Sequence, residues 1–287
     1  VDGLIDAFLA WMRAERGASP HTLRAYGTDL AGFAAHHEGK SPEALGVVDL
    51  RGWLATTSAS PASLQRRIAT LRTFYRWLQR EGHVSESPAE RLRAPRVRRG
   101  LPRTVEIEEA TPIVETPVGE GVRATRNRAL LELAYGGGLR VSELAALDAG
   151  DVDLDAGVVR VRRGKGGKER LVPIGPPAVE AVRAWLGPRA AQAAAPVFVA
   201  DGGRRLTTRA LYDVVRRAGV QQGRHLHPHM LRHSFATHLL AGGADVRAIQ
   251  EMMGHESLAT TQRYTAVDTE QLGRTHRAAH PRARGSR

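Results

Sequence analysis

The sequence predicts a mainly α protein with a small β-sheet, built as a helical N-terminal domain and an α/β C-terminal domain. Three observations predict it. Apolar residues recur at i, i+3, i+4 spacing through most of the chain. One short segment reads as two strands around a glycine turn. Between the halves lies an arginine- and proline-rich stretch without hydrophobic periodicity. The chain has 287 residues, and domains typically run to about 100–200 residues. Two cores are therefore expected, over residues 1–90 and 104–287, with a basic linker over 91–103 and a tail at the C-terminus.

In the first half, Leu4, Ile5, Phe8 and Met12 share one helical face. Ser19-Pro20 supplies an N-cap followed by proline at the first helical position, and Leu23, Tyr26, Leu30 and Phe33 continue that second helix. Ser60-Pro61 repeats the start signal. After it, Leu64, Ile68, Leu71, Phe74, Tyr75 and Leu78 form an apolar stripe, opposite Arg66, Arg72, Arg76 and Arg80, and Gly82 is a stop. Pro88 to Pro102 has no periodicity and carries Arg98 and Arg99. In the second half a helix is expected over Asn127–Ala134, broken by Gly136-Gly137-Gly138 and resumed over Arg140–Leu147. Val158–Val161 and Arg170–Ile174 read as a hairpin about Gly164-Lys165-Gly166-Gly167. Further helices are expected over Ala178–Leu186, Thr208–Ala218, His229–Ala241, Val246–Met253 and Leu258–Tyr264.

Composition narrows the function. Lys and Arg number 42 against 30 Asp and Glu, a net charge of +12. Such an excess favours a polyanionic partner, and nucleic acid leads. There is no cysteine, which excludes disulfides and thiolate metal sites. No run approaches the ~20 apolar residues of a membrane span, and the N-terminus lacks a basic-then-apolar signal, so a cytoplasmic place is expected.

Several clusters suit phosphate chemistry. Arg140 follows the glycine break, with Glu143 three residues on. That spacing places an arginine beside an orienting carboxylate, although a plain surface pair has the same spacing. Lys165 and Lys168 flank the glycine turn, where the backbone can approach a polyanion. The turn is no P-loop, since no Ser or Thr follows the lysine. His229 and Arg232 share a face near a helix N-terminus, the end that favours an anion. His225, His227, His233 and His238 lie near them, which raises a metal site as a rival. The missing H-E-x-x-H pattern and the flanking Arg232 argue against it. His255 follows the helix stop Gly254, and Ser257 caps a helix ending at Tyr264. Alone, Tyr264 reads as a buried amphipathic residue. Together, two arginines, two histidines and a lysine around one tyrosine suit phosphoryl transfer, which needs mainly positioning and charge stabilisation.

Four motifs carry a family resemblance: GLRVSELAAL at Gly138–Leu147, GKGGKERLVPI at Gly164–Ile174, HPHMLRHSFATHLL at His227–Leu240 and MMGHESLATTQRYT at Met252–Thr265. In this order they resemble the tyrosine recombinases of the phage integrase family, and within it the Xer subfamily. The ending AHPRA at Ala279–Ala283 is more similar to the XerC than to the XerD branch. The resemblance implies a SAM-like core-binding domain and a catalytic domain. It implies that Arg140 and Arg232 clamp the scissile phosphate, with Glu143 behind them, and that Lys165 protonates the leaving oxygen, with Lys168 as fallback. His229 would move the Tyr264 proton, His255 would donate to the phosphate, and Tyr264 would attack. Arg66, Arg72, Arg76, Arg98 and Arg99 are candidate DNA contacts. No metal, ATP or other cofactor is implied. The implied setting is a nucleoid-associated tetramer on a double-stranded recombination site. There it would resolve chromosome dimers for partition at cell division, with a XerD-like paralogue and an FtsK-type translocase. The segment Asp268–Ala279 would dock on a neighbouring subunit. Three alternatives stand beside this: a phage or mobile-element integrase, a non-catalytic architectural DNA-binding protein, and a metal hydrolase built on the histidines.

Overall fold

The computed structural model describes residues 2–38, 40–56, 59–95, 104–162, 169–187, 192–254 and 266–283. The chain forms two compact units, Val1–Gly100 and Leu101–Arg287.

The first unit is helical. Helix α1 spans Asp2–Ala14 and α2 spans Pro20–His36. The Ser19 Oγ accepts from the Thr22 amide at 3.1 Å, which satisfies one orphan donor of the first turn. Helix α3, Val47–Thr56, had no clear signal in the sequence. It is short, contains Gly52, and buries only Leu50 and Trp53. Helix α4, Pro61–Arg80, starts on Ser60, whose Oγ accepts from the Ser63 amide at 3.3 Å. Phe8, Leu30, Phe33, Leu50, Leu71, Phe74, Tyr75 and Leu78 make the core. The expected linker over 91–103 begins too early. Pro88–Arg91 is a 3-10 turn, and Ala89 and Leu92 are buried in this core. Gln65 Nε2 also donates to the Pro95 carbonyl at 2.9 Å. The packed chain thus reaches Pro95, because two small apolar residues suffice to seat a segment that lacks periodicity.

The second unit is built around one buried helix. Helix α5, Ile107–Glu115, tolerates Pro112 in its second turn although that residue cannot donate. Helix α6 spans Gly121–Gly136, earlier than the expected Asn127 start, because its first turns are exposed and carry no apolar stripe. Residues 129–136 are buried on every side. Helix α7 spans Val141–Ala146. A 3-10 turn over Ala149–Asp151 leads to an unexpected two-residue strand β1, Val152–Asp153. Strand β2, Val158–Val161, and β3, Arg170–Pro173, form the expected hairpin, with Val159 opposite Val172 and Val161 opposite Arg170. The antiparallel sheet has the order β1-β2-β3. Helix α8, Pro176–Leu186, lies against α6. Then come α9, Thr208–Gln221, α10, Pro228–Ala241, and α11, Val246–Met253. Helix α12, Ala266–Ala279, ends in a 3-10 turn over Pro281–Ala283.

The tail from α12 onward packs on its own unit, against α10, α11 and β3. Leu272 and Ala279 join Phe235, Leu239 and Met252 in a small core. Arg282 pairs with the buried Glu132 and donates to Glu115 at 2.7 Å. These buried contacts seat α12 and the turn after it on the second unit.

Candidate active site

Arg140 is the N-cap of α7, and Glu143 is its third helical residue. The Glu143 carboxylate reaches back to accept from the Arg140 amide at 2.8 Å, half of a capping box. Arg140 Nη1 donates to the same carboxylate, also at 2.8 Å. The spacing read from sequence thus becomes a contact, but Glu143 is no surface residue. It is 6% exposed and gathers two more arginines. Arg170, from β3, donates to it through both terminal nitrogens at 2.9 and 2.8 Å. Arg232, from α10, lies 3.8 Å away.

Three guanidiniums around one carboxylate leave excess positive charge in a largely buried place. Burial alone would raise the Glu143 carboxyl. The hydrogen bonds and charge of Arg170, then the hydrogen bonds of Arg140, outweigh it and hold the carboxyl near 2. Burial and the nearby Arg140 pull Arg232 down to about 9, which leaves it charged at neutral pH. Arg232 is fixed by two carbonyls. Nη1 donates to Gly138 at 2.6 Å and Nη2 to Met253. Arg140 is the more open arginine of the pair, with 27% of its side chain exposed against 7% for Arg232.

His229 stands on the first turn of α10, after Pro228, and is exposed. His227 is the N-cap residue but makes no side-chain capping bond. The ring of His229 lies 6.4 Å from that of His227. His238, counted with the rival metal set, is buried elsewhere, its Nδ1 2.8 Å from the Tyr135 hydroxyl. Lys165, Lys168, His255, Tyr264 and the helix expected over Leu258–Tyr264 lie outside the described residues, as do Arg98 and Arg99.

The arginines of α4 serve their own unit first. Arg66 pairs with the buried Asp29 and donates to the Ala25 carbonyl at 3.2 Å. Arg72 donates to the Leu92 carbonyl. Arg76 pairs with Glu90 at 2.7 Å, with 63% of its side chain exposed.

Sequence reasoning missed Arg170. A signal existed. The burial of β3 alternates so that Arg170 and Val172 face inward, and an inward arginine on a strand demands a carboxylate. The i,i+3 spacing ties Glu143 to its near neighbour Arg140 alone.

Residues 104–271 match the profile described as Phage integrase family, and residues 5–82 match that of Phage integrase, N-terminal SAM-like domain. Among curated relatives, Tyrosine recombinase XerC of Azotobacter vinelandii is 47% identical, over 98% of this chain and 96% of that one. Tyrosine recombinase XerC of Xanthomonas campestris pv. campestris is 44% identical, over 98% of this chain and 89% of the relative. Among solved structures, an integrase from mycobacterium phage Brujita is 26% identical with a TM-score of 0.54, covering 99% of this chain and 95% of that one. A lambda integrase dimer bound to a COC′ core site has a TM-score of 0.70, over 93% of this chain and 99% of its own. Its 19% identity speaks to the fold alone.

Proposed function

Because this chain belongs to the phage integrase family of tyrosine recombinases, we propose that it cuts and rejoins DNA at a specific chromosomal site through a covalent link to Tyr264. The observation that carries this reading is the Glu143 cluster, which holds Arg140 and Arg232 within one charged network. Preorganised guanidiniums are what a pentacoordinate phosphate needs, since they meet developing charge without reorganising. In this reading Arg140 and Arg232 bind the non-bridging oxygens of the scissile phosphate. The Tyr264 phenol, with a reference pKa of about 10, loses its proton as it attacks phosphorus. His229, exposed on α10, takes part in that transfer, and His255 donates to the phosphate. Lys165, in the connection between β2 and β3, protonates the leaving 5′-oxygen. The products are a 3′-phosphotyrosyl bond and a free 5′-hydroxyl. The 5′-hydroxyl of the partner strand then attacks, a new phosphodiester forms, and Tyr264 is released. One ester is exchanged for another, so the step balances without ATP, metal or added water.

The two XerC relatives, aligned over nearly the whole chain, favour chromosome dimer resolution over phage integration. The full assembly in this reading is a heterotetramer with a XerD-like paralogue on two duplexes, regulated by an FtsK-type translocase. Arg66, Arg72 and Arg76 lend positive potential along α4, with exposed Arg76 best placed to meet a phosphate. Arg98 and Arg99 follow in the connecting segment.

The test uses a nicked suicide duplex from the host's dimer-resolution site, with excess EDTA. Wild-type protein should give a covalent adduct on a denaturing gel, and Tyr264→Phe should give none. An undiminished adduct with Tyr264→Phe, or loss of the wild-type adduct in EDTA, overturns the reading.

A further inference from the structure

Arg170 is 3% exposed, and its guanidinium is committed to protein on two edges. Both terminal nitrogens grip the Glu143 carboxylate, and Nε donates to the Met252 carbonyl at 2.7 Å. A side chain so enclosed has no edge left for DNA. Its contacts nevertheless join three parts of the site. Through β3 it adjoins the connection that contains Lys165. Through Glu143 it reaches Arg140 and Arg232. Through Met252 it holds the C-terminal end of α11, where the next carbonyl, that of Met253, accepts from Arg232. Beyond it Gly254 turns with φ +62° and His255 follows. A Cβ on Gly254 would lie 3.1 Å from Arg170 Cδ, so the turn leans directly on this arginine.

The hydrogen bonds explain why an arginine is needed. Oε1 of Glu143 accepts from Arg170 and from Arg140 Nη1, and Oε2 accepts from Arg170 and from the Arg140 amide. The bidentate fork fixes the carboxylate plane, and the remaining lone pairs then fix the direction of Arg140. A lysine could hold one oxygen but neither the plane nor the Met252 carbonyl as well.

We propose that Arg170 is a positioning residue of the recombination chemistry: it orients Glu143, and through it aims Arg140 at the phosphate, without touching DNA. The proposal rests on the reading above, in which Arg140 answers the charge of the scissile phosphate. That charge provides the test. A methylphosphonate at the scissile position is neutral, so a misaimed Arg140 costs little there, whereas a damaged fold costs the same on either substrate. The full-length wild type, Arg170→Lys and Arg170→Gln are compared on nicked suicide duplexes carrying a phosphate or a methylphosphonate.

Arg170→Lys should slow adduct formation on the phosphate by ~30-fold or more, the scale expected of a small misplacement of a reacting group. Its duplex affinity should stay within about threefold, since positioning and binding are separate interactions. On the methylphosphonate its deficit should shrink to about threefold or less. Should Arg170→Lys fail to fold, Arg170→Gln, judged by the same ratio between substrates, decides the matter. An equal deficit on both substrates, or none on the phosphate, overturns the proposal alone. A wild type that forms no adduct with the phosphate overturns the recombinase reading and this one with it.

Discussion

The Glu143 carboxylate is almost wholly buried yet shares four hydrogen bonds with Arg140 and Arg170. Its charge is therefore part of the fold as well as of the site. The carboxyl sits near 2 in the folded chain against 4.5 as reference. A folded value below the unfolded one means the unfolded chain binds the extra proton. The resulting stability, about 3 kcal/mol, is fully present above pH about 4.5 and is lost as pH falls toward 2. Replacing Glu143 with Gln should destabilise the second unit by about 3–5 kcal/mol at pH 7, because it leaves buried guanidiniums without a counter-charge. It should also flatten the acid limb: urea midpoints taken from pH 6 to 3.5 should fall less steeply in Glu143→Gln than in wild type. Parallel curves would mean that Glu143 does not titrate in that window. The Arg140–Glu143 half of this cluster was legible, since three residues on a helix set a distance. The Arg170 half was not, since a separation of 27 residues sets none.

Helix α12 and the turn after it show how an element is held by uncharged histidines. His276 is 1% exposed, and its Nε2 donates to the Gly136 carbonyl at 2.9 Å. The His276 ring stacks on that of His280, 5.0 Å away at 8°. His280 accepts the Arg282 amide at Nδ1, and its Nε2 has no hydrogen-bond partner among the described residues. Burial draws His276 down to about 4, and the nearby Arg277 adds to the effect against the Gly136 bond. Burial, with His276, His238 and Arg282 close by, draws His280 well down too. These folded values lie below the reference of 6.5, so stability is complete above that pH and is lost as pH falls toward 4. By pH 5 the His276 contribution is smaller by about 2 kcal/mol. Amide exchange in α12, corrected for intrinsic rates, should therefore accelerate by ~30-fold between pH 7.5 and 5 relative to α6. Unchanged protection would show that the histidines are not what holds the tail. The close approach leaves no slack, for a Cβ on Gly242 would fall 2.1 Å from the Ala279 carbonyl oxygen. Elements with a chemical start were readable: Ser19-Pro20 and Ser60-Pro61 open α2 and α4 where expected. Helix α3, β1 and the seat of Pro88–Pro95 were not, because each is short and takes its stability from what covers it.

Across the whole molecule the net charge of +12 governs how the chain meets a polyanion. Ion pairs within the fold leave that net charge unchanged, because each sets one cation against one carboxylate. Arg66 neutralises the buried Asp29, Arg76 pairs with Glu90, and Arg282 closes on Glu132. The cationic excess should make duplex binding electrostatic. Raising salt from about 50 to 200 mM should weaken it at least ~10-fold, along a straight line of log affinity against log salt. A flat line would mean that the surplus arginines belong only to the fold. By itself the sequence determined the helical character of the chain, the hairpin β2–β3, the helix starts and the family motifs, because capping, turn chemistry and periodicity act between residues a few positions apart. Only the tertiary structure decided that the α4 arginines turn first to their own unit and that α12 packs on α10, α11 and β3. It also decided that Arg170 stands between Glu143 and Met252, which lie 27 and 82 residues away. Buried charges choose partners by distance in space, and sequence separation carries no such distance.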